Sequence, residues 1–246
     1  MISGRWWVTS SGSLTFLILI TFILIILAKK TTDHYKLVMQ SIPQETIVVL
    51  DFETTGISPD YGDRAIEIGA VKIRAGQILE RFQSLMNPGV RVSQFIENYT
   101  GITNQMVQKA PAASEVMREF ADFIGDKPLV AHNASFDKRF LNTEFARIGQ
   151  KHRDNFGCSM LISRRVYPDA SNHKLETLVR YKDLQTDGPF HRALADAEMT
   201  AHLWMGMAED LRSFYGFENV PFVLMRDLAK VPKAQVSAYL LKSSTI

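Results

Sequence analysis

Apolar and β-branched residues follow one another without interruption from Thr46 to Leu50, and the run ends in Asp51-Phe52-Glu53 before Thr54-Thr55-Gly56 turns. Such a run predicts a central strand covered on both faces. Residues 65–73 alternate well enough for a second strand, Ala75-Gly76 supplies a hairpin turn, and residues 79–86 pair back as a third until Asn87-Pro88-Gly89 stops it. Short helical pieces follow around residues 93–98 and 103–107. The spacing of Val116, Phe120, Phe123 and Ile124 predicts a longer helix over 112–124. Residues 128–131 read as a short buried strand ending at His132-Asn133, and a helix starts at Ser135 with Phe136, Phe140 and Leu141 inward. Further helices are predicted over 160–166, from Lys174, and from Ala193 to about Leu211. Three antiparallel strands followed by strand-helix units imply an α/β fold, a mixed sheet flanked by helices. The tail carries Pro221 and Pro232 and has an amphipathic helical pattern over 233–241.

The N-terminus has no polar face. No charge interrupts residues 6–28, a stretch of 23 residues that is roughly 34 Å long as a helix and long enough to span a bilayer core. Trp6 and Trp7 would sit at one interface and Lys29 and Lys30 at the other. No A-x-A-like cleavage site precedes the lysines, so the expectation is one uncleaved N-terminal transmembrane helix rather than a signal peptide. Lys29, Lys30 and Lys36 outweigh Arg5 and the α-amine, which places the body on the cytoplasmic side. The expected organisation is a membrane anchor over 1–30, a linker over 31–45, a catalytic domain over 46–212 and a C-terminal tail, with helical patterning, over 213–246.

Composition narrows the classes. The 28 basic and 26 acidic residues nearly cancel, which argues against broad, sequence-independent coating of nucleic acid and leaves room for a local basic groove. Cys158 is the only cysteine, which excludes a disulfide framework or a cysteine zinc site within one chain and fits a reducing compartment.

Alternation along the first strand puts Asp51 and Glu53 on one side and Leu50 and Phe52 on the other. Two acids at a strand end repel each other unless a proton or cation lies between them, and a divalent metal is the natural answer. The plainer reading is a strand cap beside a solvated glutamate. Asp137 falls in the first turns of its helix, where the helix N-terminus stabilises a carboxylate in any case. In His191-Arg192-Ala193-Leu194-Ala195-Asp196-Ala197-Glu198, small residues flank Asp196 and allow a close helix approach, with His191 near the helix start. Alone, that histidine could be a cap and that aspartate a solvated helix residue.

Taken in order, VLDFETTG, HNASFDKRFL and HRALADAEMT resemble the three motifs of the DEDDh family of DnaQ-like 3'-5' exonucleases, similar to the proofreading subunit of bacterial DNA polymerase III. The resemblance also takes in GDRAIEIGAVKI and the TGIT of Thr100–Thr103. It implies a ribonuclease-H-like fold, two divalent cations (Mg²⁺ or Mn²⁺), and removal of nucleotides from 3' ends. Matched position by position, Asp51, Glu53, Asp137 and Asp196 are the four metal-binding acids and His191 the histidine general base. Two cations so held would stabilise the attacking and leaving oxygens of an in-line displacement. Histidine is the side chain that exchanges a proton near neutral pH. In the resembled family, backbone at the positions of Thr54 and Thr55 meets the terminal nucleotide, and an apolar residue at the position of Ile57 wedges beside the last base; loop packing is the other reading of Ile57. His132 and Asn133 are expected to cap the helix and orient the loop, not to catalyse.

The expected function is therefore metal-dependent 3'-5' hydrolysis of single-stranded nucleic acid ends, DNA first, at a bacterial inner membrane. The alternatives are an RNA-trimming enzyme of the same superfamily and a non-catalytic nucleic-acid-binding subunit. The resemblance admits a homodimer or a polymerase partner, and no motif identifies either. The apolar N-terminus and the motif-free tail depart from the polymerase subunit, which puts a proofreading role in doubt.

Overall fold

Among the described residues, five strands build one mixed sheet in the order β3-β2-β1-β4-β5. They are β1 (Ile47–Thr54), β2 (Ala65–Arg74), β3 (Gln77–Leu85), β4 (Leu129–Ala131) and β5 (Phe156–Cys158). β1 runs antiparallel to β2 and parallel to β4, β2 is antiparallel to β3, and β4 is parallel to β5. The computed structural model describes residues 45–184 and 191–244, which belong to one compact unit, Pro43–Ile246. The β2–β3 hairpin turns at Ala75 and Gly76, both at positive φ (51° and 74°), the conformation whose twist suits a two-residue hairpin loop.

β1 lies at the centre and alternates between two cores. Val48, Leu50 and Phe52 pack under α3 (Ala113–Ile124) and α4 (Ser135–Arg147), with Phe120, Phe140 and Phe145. Ile47 and Val49 face the other way. They pack under α7 (Ala193–Tyr215), together with α5 (Ser159–Val166) and α6 (Leu175–Tyr181). Period two then carries Asp51 and Glu53 to the α7 face, past the point where apolar packing ends. Two short helices, α1 (Gln94–Thr100) and α2 (Asn104–Lys109), follow β3 and bury Ile102 and Val107 against Ile66 and Val92.

Two elements differ from the sequence pattern. β5 is three residues long, and its middle residue is Gly157, where a Cβ would stand 2.9 Å from the Trp204 ring and 3.1 Å from Phe222. The strand pairs closely against aromatic side chains only because it lacks an apolar residue there, so its hydrophobic signal is missing. The tail, in turn, carries α8 (Phe222–Leu228), which the pattern did not show, and α9 (Val236–Ser243), which follows a 3-10 turn at Lys233–Gln235. Phe217, Val220, Phe222, Met225, Leu228, Val236 and Leu240 join the α7-side core. A prediction from periodicity alone is weakest in helices of two turns.

The expected transmembrane anchor gains no support from the structure. Residues 6–28 lie outside the described residues, and among the described residues no helix is long and apolar enough to cross a membrane. The mixed α/β sheet with flanking helices stands; the anchor has no structural support.

Because Phe222 is 1% exposed and stacks on Trp204 at 5.8 Å between centroids, Phe222→Ala is expected to cost about 3–5 kcal/mol of stability. Urea unfolding of the two proteins measures this. A loss below about 0.5 kcal/mol, typical of surface substitutions, would mean the tail does not share the core.

Candidate active site

The two acids of β1 meet the start of α7 because one residue of β2 is a glycine. Asp51 pairs in register with Gly69, and Glu53 with Glu67. A Cβ at Gly69 would fall 2.0 Å from the backbone nitrogen of Leu194 and 2.2 Å from the carbonyl carbon of Ala193. The first turn of α7 therefore rests directly on the sheet beside Asp51, with Ala193 and Ala197 wholly buried at the contact. This lowers Asp196 onto the acids of β1. Oxygens of Asp51, Glu53 and Asp196 come within 4.8 Å of one another, with Asp51 half-buried and the other two buried.

Glu67 fixes the same helix end from below. It is fully buried and accepts hydrogen bonds from Arg192 Nη2 (2.8 Å) and Nε (3.2 Å), from the Ala193 backbone N–H (3.2 Å) and from Gln83 Nε2 (3.0 Å). An acid from a neighbouring strand thus caps α7, whose own N-cap residue, Arg192, has no side-chain cap bond. The pattern did not single out Glu67 or Arg192. The available signal was an acid in the middle of Ile66-Glu67-Ile68, a charge where a buried strand offers no solvent.

His191 immediately precedes this helix. Its residue is at φ 65°, and its backbone N–H donates to Asp196 Oδ2 at 2.9 Å. Its ring packs on Tyr99 of α1, 4.2 Å between centroids. Burial raises the Tyr99 phenol, and the charges of Glu53, Asp196 and Asp51 add to the shift, so α1 borders the acid cluster. Tyr99 was not anticipated from sequence.

Asp137 stands apart from the three-carboxylate group. It is 1% exposed, and its Oδ1 accepts the backbone N–H of Phe52 at 3.2 Å, which places it against β1 between the two acids of that strand. α4 is held there by Arg64, which makes a two-pronged pair with buried Glu144 (2.7 and 2.9 Å) and donates to the Pro88 carbonyl at 2.9 Å.

The turn after β1 is built from its own polar groups. Thr54 Oγ1 donates to the Gly56 carbonyl at 2.6 Å, Thr55 Oγ1 reaches Asp63 at 3.3 Å, and the Thr55 N–H is taken by the Arg64 carbonyl at 2.9 Å. Both hydroxyls serve the turn. A Cβ at Gly56 would lie 2.3 Å from Asp63 Oδ1, so a larger residue there would displace the carboxylate that holds the turn. Ile57 is 73% exposed, and only its carbonyl is held, by Arg139 Nη2 at 3.4 Å. His132 does not cap α4, whose N-cap is Ala134 with no side-chain bond; Asn133, just before it, accepts the Phe136 N–H on its carbonyl (2.9 Å) and the Ser135 hydroxyl on Oδ1 (3.4 Å). His132 instead ties the end of β4 to Ser159 Oγ (2.8 Å) and the His173 carbonyl (2.9 Å). Burial pushes its imidazole down to about 4.

Crowding shows in the titration of the acids. Burial, then the charges of Asp137, Asp196, Glu53 and Glu67, holds Asp51 well above the carboxylate range. Burial with Asp196, Glu67 and Asp137 takes Glu53 up to about 8, against the opposing pull of Arg192. Burial takes Asp137 up to about 7, against hydrogen bonds from the N–H of Phe52 and its own. Asp196 is also raised by burial, opposed by the His191 N–H and charge. A cluster that favours protons this strongly is a cluster that favours a cation. Its donors are all carboxylate oxygens, the hard ligands suited to Mg²⁺ or Mn²⁺ rather than to soft metals.

A family model described as Exonuclease (RNase_T) matches residues 48–204, and the chain belongs to that exonuclease family of enzymes. Among curated relatives, the PolC-type DNA polymerase III of Bacillus cereus is 40% identical over 171 residues, which are 69% of this chain and 12% of that one. The PolC-type enzyme of Halalkalibacterium halodurans is 43% identical over 164 residues, 66% of this chain and 11% of that one. The chain thus spans about an eighth of the length of the curated relatives it matches. Among solved structures, Exonuclease X in complex with 5' overhanging duplex DNA superposes with TM-score 0.60 at 26% identity, covering 74% of this chain and 99% of that one. The nuclease domain of 3'hExo, a DEDDh family member bound to rAMP, shares the fold at TM-score 0.60 and 23% identity, covering 68% and 93%. The resemblance to DEDDh exonucleases, and with it the ribonuclease-H-like fold, is thereby established. That family uses divalent metal ions. The membrane-anchored localisation is overturned: the relatives are DNA polymerase III chains, and the anchor gains nothing from the described residues.

Two outcomes are expected. Gly69→Ala drives a methyl group into the backbone of α7; it should cost about 1–3 kcal/mol and lower nuclease activity by roughly 100-fold through displacement of Asp196 and His191. Gly206→Ala, with nothing within 4 Å of the added Cβ, is the matched control; equal effects would show that the α7 contact is unimportant. The second outcome concerns pH. Glu53 and Asp137, at about 8 and 7, sit above their ordinary values near 4.3 and 3.9. Their stabilising effect is present when protonated and is lost as pH rises through the folded values. Below pH of about 6.5 His132 acts with the opposite sign, so the clear window is pH 6.5–8.5. Melting in EDTA should fall by several degrees across that window, and Mg²⁺ or Mn²⁺ should raise the melting temperature more at the upper end. A melting temperature flat in pH and indifferent to metal would contradict the site.

Proposed function

We propose that this chain is a metal-dependent 3'-5' exonuclease that removes nucleotides from single-stranded DNA ends. The observation that carries the reading is the gathering of Asp51, Glu53 and Asp196 within 4.8 Å beside His191, in a chain of the exonuclease family. Asp51, Glu53 and Asp196 would hold the first cation, and Asp137, seated on the Phe52 N–H, would help to hold a second. When bound, the two divalent cations would supply positive charge against that developing on the phosphate oxygens.

The rest falls to the chain's own groups. His191 accepts the proton of the attacking water at its ring nitrogen; Asp196 holds its backbone N–H, and the Tyr99 ring packed against it limits where the imidazole can swing. Exposed Ile57 offers an apolar edge to the terminal base, and the turn Thr54-Thr55-Gly56 brings backbone toward the sugar and phosphate. None of these contacts reads base edges, so low sequence specificity follows. DNA is favoured because the relatives near 40% identity are DNA polymerase III chains and Exonuclease X was solved with DNA. RNA would be distinguished by contacts to the 2'-hydroxyl.

Purified chain with Mg²⁺ or Mn²⁺ should shorten a 5'-labelled oligodeoxynucleotide from its 3' end. Asp51→Ala should abolish this, and His191→Ala should slow it by about 10²–10⁴-fold. Full-rate shortening by Asp51→Ala would reject the site, and a preference for the matching oligoribonucleotide would reject the DNA assignment.

A further inference from the structure

Phe95 and Tyr99 stand one turn apart on α1 with their rings 6.1 Å apart and 6° from parallel. Tyr99 in turn lies against the His191 imidazole, so an aromatic row runs outward from the catalytic histidine. Its outer members are uncovered: Phe95 is 73% and Tyr99 53% exposed. The helix does not need them for its own packing, because its buried side is Ile96 and Thr100. Single exposed apolar residues are ordinary. Two parallel rings adjoining an active-site histidine are a surface of a particular kind.

The surroundings of the pair suit a polyanion. Gln94 and Asn98 flank it and hydrogen-bond each other at 3.0 Å, presenting neutral amides. Glu97, the one acid of the helix, is turned away to the backbone N–H and Nδ2 of Asn104, at 2.6 and 2.7 Å. Of the helix's own side chains, the outward face therefore offers two π surfaces and no carboxylate; the acids that Tyr99 borders are those of the metal site.

We infer that Phe95 is a stacking platform for a base upstream of the nucleotide being removed, with Tyr99 joining that platform to His191. This rests on the exonuclease reading and extends it from the terminal nucleotide to the strand behind it. Only an unpaired strand has base faces free to stack, and every base has one. The platform selects single strands without selecting sequence. It also sets a minimum length of unpaired 3' end, since a duplex brought up to the acids would leave the ring uncovered.

The test uses the full chain with Mg²⁺ and 5'-labelled oligodeoxythymidylate. Phe95→Ala should lower kcat/KM by about 5- to 100-fold, and Phe95→Trp should restore it. Oligonucleotides with a single abasic site at each of the first four positions from the 3' end supply the specific readout. In the wild type, one position should reproduce the loss, and Phe95→Ala should lose nothing further there. The platform is overturned if Phe95→Ala works at the wild-type rate, or if its loss is the same on every abasic oligonucleotide. It is equally overturned if the substitution changes only the oligomeric state, which would make the face a contact between copies. A wild-type chain inert on all oligonucleotides would reject the exonuclease reading and the platform together, whereas an active wild type with an unaffected variant rejects the platform alone.

Discussion

Mutual repulsion among the carboxylates at the end of β1 sets what every neighbouring element must do. Two ionised acids at about 4 Å repel by on the order of 4 kcal/mol in a setting like a protein surface, and Asp51, Glu53 and Asp196 are held within 4.8 Å with Asp137 close behind. Flexible segments would move apart. The acids stay together because each is carried by an element that cannot move alone. β1 is central in the sheet and packed on both faces, α4 is tied by the Arg64–Glu144 pair, and α7 lies on Gly69 and is capped by Glu67.

Glu67 illustrates how the load is divided. It faces Glu53 across the β1–β2 pair and would be a fifth competing charge on the acid face. Arg192 and the Ala193 N–H engage it instead, so it becomes an anchor for the helix that supplies Asp196. A buried acid stripped of such a partner would be strongly destabilising. The same residue that orders the site therefore also sustains its negative potential, raising Asp51, Glu53 and Asp196.

Much of this was legible in the chain. The apolar run into Asp51 and Glu53 marks a central strand, and small residues around Asp196 mark a close helix approach. What could not be read was the partner of that approach. Gly69 looks like any strand glycine until the register sets it opposite Asp51, and Glu67 gains its meaning only from the same register. Tyr99 comes from a seven-residue helix whose outward face follows no core pattern. β5 and α8 were hidden because Gly157 removes the apolar signal from one and brevity removes it from the other. The apolar stretch over 6–28, read as an anchor from hydropathy alone, lies outside the described residues, and the relatives lend that reading no support.

As one divalent-metal site, these carboxylates should take up manganese, which anomalous scattering from Mn²⁺-soaked crystals locates. An anomalous peak bounded by Asp51, Glu53 and Asp196 is expected. Manganese bound only elsewhere, with the Arg192 guanidinium moved from Glu67 onto the three acids, would contradict it.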